Sequence, residues 1–144
     1  MDNPQNINQT KKLFEEIYNK GNLTMLDGLV ANNVRLNDPA TRQQKEGLKA
    51  LKDTEASYIR AFPNKKVKIE DIMSSEDKVI VRWTCQGVHK GELQGISPTN
   101  KEFKISGISI YRFANGKVTE IWQSWDRLGL LEQIGEIQPA LALH

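Results

Sequence analysis

The hydrophobic periodicity of the chain changes at about Pro63 from a helical spacing to a strand spacing. Before this residue, apolar side chains recur three or four positions apart, as on one face of a helix. From Val67 onward they recur at every second position, as on one face of a strand. Helices first and strands afterwards are typical of an α+β domain rather than of alternating βαβ units. The sequence therefore predicts helices packed on one face of a mostly antiparallel sheet.

The first 62 residues predict three helices and one short strand. Asn3 before Pro4 is an N-cap signal with proline at the first helical position, and Gly21 is a plausible helix end. A second, shorter helix is indicated by apolar residues at Leu23, Leu26, Leu29 and Val30. A weak strand over 34–38 follows, and a third helix runs to Pro63, which cannot continue it.

The rest of the chain predicts strands in series and a last helical turn. The run "KVIVRWTCQGVH" places four residues on one face: Val79, Val81, Trp83 and Cys85. Asn115-Gly116 between two such runs is the strongest hairpin signal in the sequence. We expect one domain over 1–144, with its core at about 4–135 and a tail over 136–144. Four to six strands covered by helices would leave a concave, partly apolar cavity suited to a small molecule.

Composition excludes several classes of function. Twenty basic and eighteen acidic residues give a net charge of +2, too even to indicate a nucleic-acid or membrane partner. The single cysteine, Cys85, excludes an internal disulfide and lies in an apolar run, so we expect a buried, unreactive thiol. No apolar run reaches the ~18 residues of a membrane span, and the N-terminus lacks a signal-peptide pattern. We therefore expect a cytoplasmic protein.

The common catalytic motifs are missing, and only two histidines are present, so we expect no metal site. The remaining candidates centre on "IWQSWD" at 121–126. The strand period places Trp122 and Asp126 on the same face. If that face is interior, an apolar wall raises the pKa of Asp126 and makes it a general base. Alternatively, Asp126 is the first acidic residue of the last helix.

Two further polar positions lie at strand ends. His89 could reach a cavity mouth as an acid or a hydrogen-bond donor, or could simply cap a loop carbonyl. Asn37 and Asp38 precede Pro39, an arrangement that favours ordinary turn chemistry over a site.

Several stretches, taken in their order and spacing, resemble one known family. They are "AFP" at 61–63, "DKVIVRW" at 77–83, "GISPTNK" at 95–101, "NGKVTEIW" at 115–122 and "DRLGLL" at 126–131, with His89 between the second and third. Together they resemble the SnoaL-like polyketide cyclases, also called ester cyclases, of the nuclear-transport-factor-2-like superfamily. The similarity runs from about Phe14 to Gly135.

The resemblance implies a cone-shaped α+β fold with N-terminal helices on a strongly curved sheet that encloses a pocket. It implies an intramolecular aldol condensation without metal or cofactor, with a small, largely apolar carbonyl compound as the ligand. Asp126 falls on the family's catalytic aspartate, and His89, the second catalytic candidate, or an ordered water would stabilise the oxyanion. The substrate-binding candidates are Trp122, Phe14, Tyr18 and Asn37. A homo-oligomer, dimer or tetramer, is also implied.

Two other functions stay open on the sequence. An epoxide or ester hydrolase on the same fold would need a second carboxylate and a basic group beside the first. A non-catalytic ligand-binding or dimerisation module would instead fill the cone or bury the apolar sheet face against a second copy.

Overall fold

The computed structural model describes residues 2–138, which form four α-helices and a six-stranded sheet. The α-helices are α1 (Pro4–Lys12), α2 (Leu26–Leu29), α3 (Leu48–Ala61) and α4 (Arg127–Gln133). The strands are β1 (Val30–Asp38), β2 (Gln43–Glu46), β3 (Lys66–Ser75), β4 (Lys78–Val88), β5 (Glu102–Ala114) and β6 (Lys117–Trp125). Within the predicted tail, residues 139–144 lie outside the described part of the chain.

The N-terminal helix begins and ends where the sequence predicts. The side chain of Asn3 accepts a hydrogen bond from the Asn6 amide at 3.1 Å, and Gly21 ends the helix with a φ of +71°. Between these ends, α1 continues into a π-helical segment, Leu13–Asn19. Its wider turns bring the rings of Phe14 and Tyr18 edge to face, with centroids 4.8 Å apart. π-Helical turns are rare and occur frequently at functional sites.

The sheet has the strand order β2-β1-β6-β5-β4-β3, and every neighbouring pair is antiparallel except β1 and β6. The hairpin between β5 and β6 turns at Asn115 and Gly116, whose φ angles are +52° and +78°. Positive φ at both positions is the type I′ requirement, so the predicted turn is confirmed. The α+β class and the curved sheet with helices packed on it are confirmed as well.

Two elements differ from the sequence prediction. Val30 begins β1 rather than ending the second helix, because it pairs with Val118 of β6. A 3₁₀ turn, Leu23–Met25, takes up the first part of that predicted helix and leaves only a four-residue α2. Strand β2 was not predicted at all. Its residues are all polar and it lies at the sheet edge, so it has no apolar alternation to reveal it.

The helices cover one face of the sheet, and the two clusters of buried apolar side chains lie between the helices and that face. On that face, the predicted set of β4 is inward, with Val79 and Val81 fully buried. Gly107 of β5 pairs with Trp83 on one side and Trp125 on the other. A side chain at this glycine would collide with the indole of Trp83, so its absence lets the tryptophans lie over the strand.

From Ile121 onward, strand β6 turns its odd-numbered residues toward the helices. Ile121 is 1% exposed, and Gln123 and Trp125 line the interior cavity described below. Trp122 therefore lies on the outer face of the sheet, where the guanidinium of Arg112 is 5.1 Å from its ring centroid. This register determines which of the predicted site residues face the cavity.

Within residues 2–138, no helix is both long enough and apolar enough to cross a bilayer.

Candidate functional site

A cavity of about 100 Å³ lies between the π-helical segment, α3 and the inner face of the sheet. Its wall is mostly aromatic and aliphatic. The lining side chains are Phe14, Tyr18, Glu55, Tyr58, Phe62, Lys65, Val67, Trp83, Cys85, Phe103, Ile105, Ser109, Tyr111, Gln123, Trp125 and Leu130. Several of these side chains are only partly buried, among them Tyr58, Gln123 and Trp125.

Glu55 is the carboxyl group inside this cavity. It lies on the inner side of α3, one turn after Leu51 and one turn before Tyr58, and is 8% exposed. Burial raises its pKa from the ordinary 4.5 to about 7, against the opposing charge of Lys65 and with a further rise from Asp38. A carboxyl group that titrates at about neutral pH can both accept and return a proton there.

Lys65 is the basic group inside the cavity. It follows α3 by four residues, is 9% exposed, and its Nζ donates a hydrogen bond to the carbonyl of Tyr18 near the end of the π-helical segment. Burial lowers the pKa of this amine, while the charge of Glu55 raises it. The cavity thus holds an acid and a base whose ionised forms are both disfavoured by the apolar wall.

A chain of hydroxyl groups runs along another part of the wall. The hydroxyls of Tyr18 and Tyr111 are 3.1 Å apart, and the indole Nε1 of Trp83 donates to Ser109 Oγ at 3.0 Å. Ser109 and Tyr111 are two residues apart on β5 and both line the cavity, so the two pairs are neighbours along the wall. Burial raises the pKa of both tyrosines, so they stay neutral donors at physiological pH.

Asp38 is a buried carboxylate behind the cavity wall. It is 4% exposed, and it accepts hydrogen bonds from Trp125 Nε1 at 3.1 and 3.3 Å and from Gln123 Nε2 at 3.1 Å. The amide of Ala40 also donates to it, at 3.2 Å. Since Gln123 and Trp125 both line the cavity, Asp38 fixes two of its side chains in place.

Of the six site residues predicted from the sequence, two line the cavity. Phe14 is 3% exposed and Tyr18 carries one hydroxyl of the tyrosine pair. Cys85 also lines the cavity, as a buried thiol whose pKa is raised by burial to about 11. Its predicted burial is confirmed.

The predicted placement of Asp126 in the cavity, with Trp122 packed near it, is wrong. Asp126 is exposed and is the N-cap of α4, where its Oδ1 accepts a hydrogen bond from the Gly129 amide at 2.9 Å. Both residues lie on the outer face because β6 turns its odd-numbered side chains inward. The observed position of Asp126 agrees with the alternative prediction, that it is an acidic residue at the start of the last helix. A catalytic role for Asp126 stays a prediction to which this position lends no support.

His89 and Asn37 also lie away from the cavity lining. His89 is fully buried beside Phe62, its Nδ1 is 3.1 Å from Thr99 Oγ1, and its Nε2 has no hydrogen-bond partner among the described residues. Asn37 donates to Glu120 at 3.1 Å and accepts from Gln44 at 3.0 Å. His89 thus holds the 95–101 loop in place, and Asn37 connects neighbouring strands.

Glu55 and Lys65 were not predicted as cavity groups, and Asp38 was interpreted as ordinary turn chemistry. A signal existed for Glu55, because it stands on the apolar face of the predicted third helix between Leu51 and Tyr58. No local signal marks Lys65, whose burial depends on contact with a segment 47 residues earlier. Within residues 2–138, no group of three metal-ligating side chains comes together. The absence of a cofactor stays a prediction.

The geometry defines a cone-shaped α+β domain, with helices closing a curved sheet over a partly apolar cavity that holds one carboxyl and one amine. The family model of the SnoaL-like polyketide cyclases matches residues 8–134, and the chain belongs to this family.

Several solved structures have a fold similar to that of this chain. A protein from Jannaschia sp. CCS1 assigned as a SnoaL-like polyketide cyclase is 22% identical, with a TM-score of 0.86 over 95% of this chain and 94% of that one. A polyketide cyclase assigned in Acidithiobacillus ferrooxidans is 26% identical, with a TM-score of 0.82 over 92% and 95%. AclR from Streptomyces galilaeus, assigned as a hydroxylase, is 20% identical, with a TM-score of 0.83 over 97% and 87%. The comparison with curated proteins finds no match.

Proposed function

We propose that this protein is a cofactor-independent acid–base enzyme that acts on a small apolar carbonyl compound, with Glu55 as the proton acceptor. The observation that carries the proposal is the buried carboxyl of Glu55 in an aromatic cavity, with a pKa of about 7. General acid–base catalysis is most effective when the catalytic pKa is close to the working pH. Membership of a cyclase family supports the choice of a carbonyl substrate.

The reaction begins with transfer of a proton from the carbon next to a carbonyl group to the Glu55 carboxylate. The electron pair of that C–H bond forms an enolate, whose carbon attacks a second carbonyl in the same molecule and closes a ring. The protonated Glu55 then returns its proton to the new alkoxide. The sequence is an intramolecular aldol condensation, and it leaves the enzyme in its starting state.

The Tyr18–Tyr111 pair is the candidate for stabilising the enolate oxygen. Both residues line the same cavity as Glu55, and both stay protonated because burial raises their pKa values. A neutral hydroxyl aimed at a developing oxyanion in a water-poor site stabilises the transition state more than the same group in water. Trp83 and Ser109, which hydrogen-bond each other, line the same cavity.

The cavity volume limits the substrate. At about 100 Å³ it is smaller than the roughly 300–1,000 Å³ of pockets that take drug-sized ligands. The proposed substrate is therefore a monocyclic or short-chain carbonyl compound rather than a polycyclic polyketide. Asp38 acts from behind the wall, because it orients Gln123 and Trp125 without lining the cavity itself.

The test is exchange of the α-protons of a small aromatic ketone, acetophenone, for deuterium in heavy water, followed by NMR. We expect the wild-type protein to accelerate exchange over buffer. Glu55→Gln cannot accept the proton and should lower the protein-dependent rate by a factor of about 10² or more. Asp126→Asn is the matched control. It replaces the carboxylate that the sequence analysis favoured, and it should leave the rate within about twofold of wild type because asparagine also caps helices well.

The opposite pattern would contradict the proposal. If Asp126→Asn abolishes exchange and Glu55→Gln retains it, the catalytic carboxylate is the one predicted from the sequence. Circular dichroism of each variant shows whether it is folded.

A further inference from the structure

Lys65 is a reactive group in the cavity that proton transfer by Glu55 does not use. We propose that the Lys65 amine is a covalent site for apolar aldehydes and unhindered ketones, which it captures as an imine. The inference goes beyond the proposed function, because capture requires no abstraction of an α-proton and no turnover.

The position of Lys65 favours contact with a bound ligand. The residue is 9% exposed, and it lines the same cavity as Tyr18 and Phe62. Its Nζ is held at the wall by the hydrogen bond to the Tyr18 carbonyl. A carbonyl compound that enters the cavity therefore meets an amine fixed in place, rather than one moving freely in solvent.

The chemistry also requires the amine in its neutral form, since an ammonium group has no free electron pair. The apolar wall disfavours the ammonium form and lowers the pKa of Lys65. Desolvation in an apolar pocket is one established way in which proteins make a lysine nucleophilic. Lys66, the next residue, is exposed and lacks this environment.

Imine formation needs only the Lys65 amine and the carbonyl compound, and it releases one molecule of water. The Nζ electron pair attacks the carbonyl carbon, and the C=O π electrons move to oxygen. Transfer of a proton from nitrogen to oxygen gives a carbinolamine, and loss of water leaves a C=N bond. The carboxyl of Glu55, which lines the same cavity, can donate a proton to the departing hydroxyl, and its carboxylate then takes the N–H proton of the iminium, which restores the carboxyl.

The experiment uses benzaldehyde, which has no α-hydrogen and so cannot be a substrate for the proton transfer proposed above. The full-length protein is incubated with benzaldehyde and sodium cyanoborohydride at neutral pH, a reductant that converts an imine to a stable amine and leaves the free aldehyde largely intact. Intact mass and peptide mapping then count and locate the adducts. We expect one adduct per chain, at Lys65, with Lys66 unmodified.

Two variants make the result specific. Lys65→Arg keeps a positive charge and hydrogen-bond donors but should lose the adduct, whereas Lys66→Arg should keep it. The peptide map of the wild-type protein decides the question even if Lys65→Arg fails to fold. Adducts spread over exposed lysines with Lys65 unmodified would overturn the proposal, and Lys65 would then only cap the Tyr18 carbonyl. Since Glu55 is untouched by that outcome, the exchange test above stands independently.

Discussion

Burial of the Glu55 carboxyl makes the stability of the protein depend on pH. In the unfolded chain its pKa is at the ordinary value of 4.5, whereas burial raises it to about 7 in the folded protein. Between these values the folded state binds more protons than the unfolded state, so stability falls as the pH rises. The loss is complete above the folded pKa and is on the order of 3 kcal/mol.

Replacement of Glu55 by glutamine should remove this penalty. We expect the free energy of unfolding of Glu55→Gln to exceed that of wild type by ~3 kcal/mol at about pH 8 and to match it near pH 4. Urea unfolding at a series of pH values measures the difference. A constant difference across this range would show that Glu55 is not the group that titrates.

Asp126 has a smaller, structural effect at the start of α4. Its side chain accepts the Gly129 amide hydrogen bond, which alanine cannot do. We expect Asp126→Ala to lower the free energy of unfolding by ~1 kcal/mol, and Asp126→Asn to lower it by much less. Thermal or urea unfolding compares the two variants, and an equal loss in both would argue for a role of the charge itself.

At the scale of elements, the sequence predicts what depends on local pattern and fails where a tertiary choice is needed. The Asn3 cap, the end of α3 before Pro63 and the Asn115-Gly116 turn are each set by neighbouring residues, and each is confirmed. The face of β6 was not predictable in this way. One tryptophan stands on each face, so the strand period alone gives two equal answers.

The β5–β6 hairpin carries a prediction of its own. Gly116 has a φ of +78°, a conformation that a β-branched residue strongly disfavours. Gly116→Val should therefore lower the free energy of unfolding by ~1 kcal/mol or more. Gly116→Asn is the matched control, because asparagine tolerates this conformation better. Equal unfolding midpoints for wild type and Gly116→Val would show that the turn is not strained by the change.

At the scale of the whole molecule, the cavity exists because segments far apart in sequence meet. Tyr18 and Tyr111, whose hydroxyls face each other, are 93 residues apart, and Lys65 reaches Tyr18 across 47. The family resemblance predicted this architecture, and residues 8–134 carry it. It did not predict which carboxyl the cavity contains, since that depends on the face that α3 turns inward and on the register of β6. The homo-oligomeric state stays a prediction.

The most direct test of the account is the pKa of Glu55, read from the ¹³C shift of its side-chain carboxyl during a pH titration. The assignment is made by comparison with Glu55→Gln, whose spectrum lacks that resonance. We expect a midpoint of about 7, because burial against the apolar wall raises the pKa, the charge of Lys65 lowers it and the charge of Asp38 raises it. A midpoint near the ordinary value of 4.5 would contradict it, because Glu55 would then be a solvated carboxylate without the properties of a neutral-pH base.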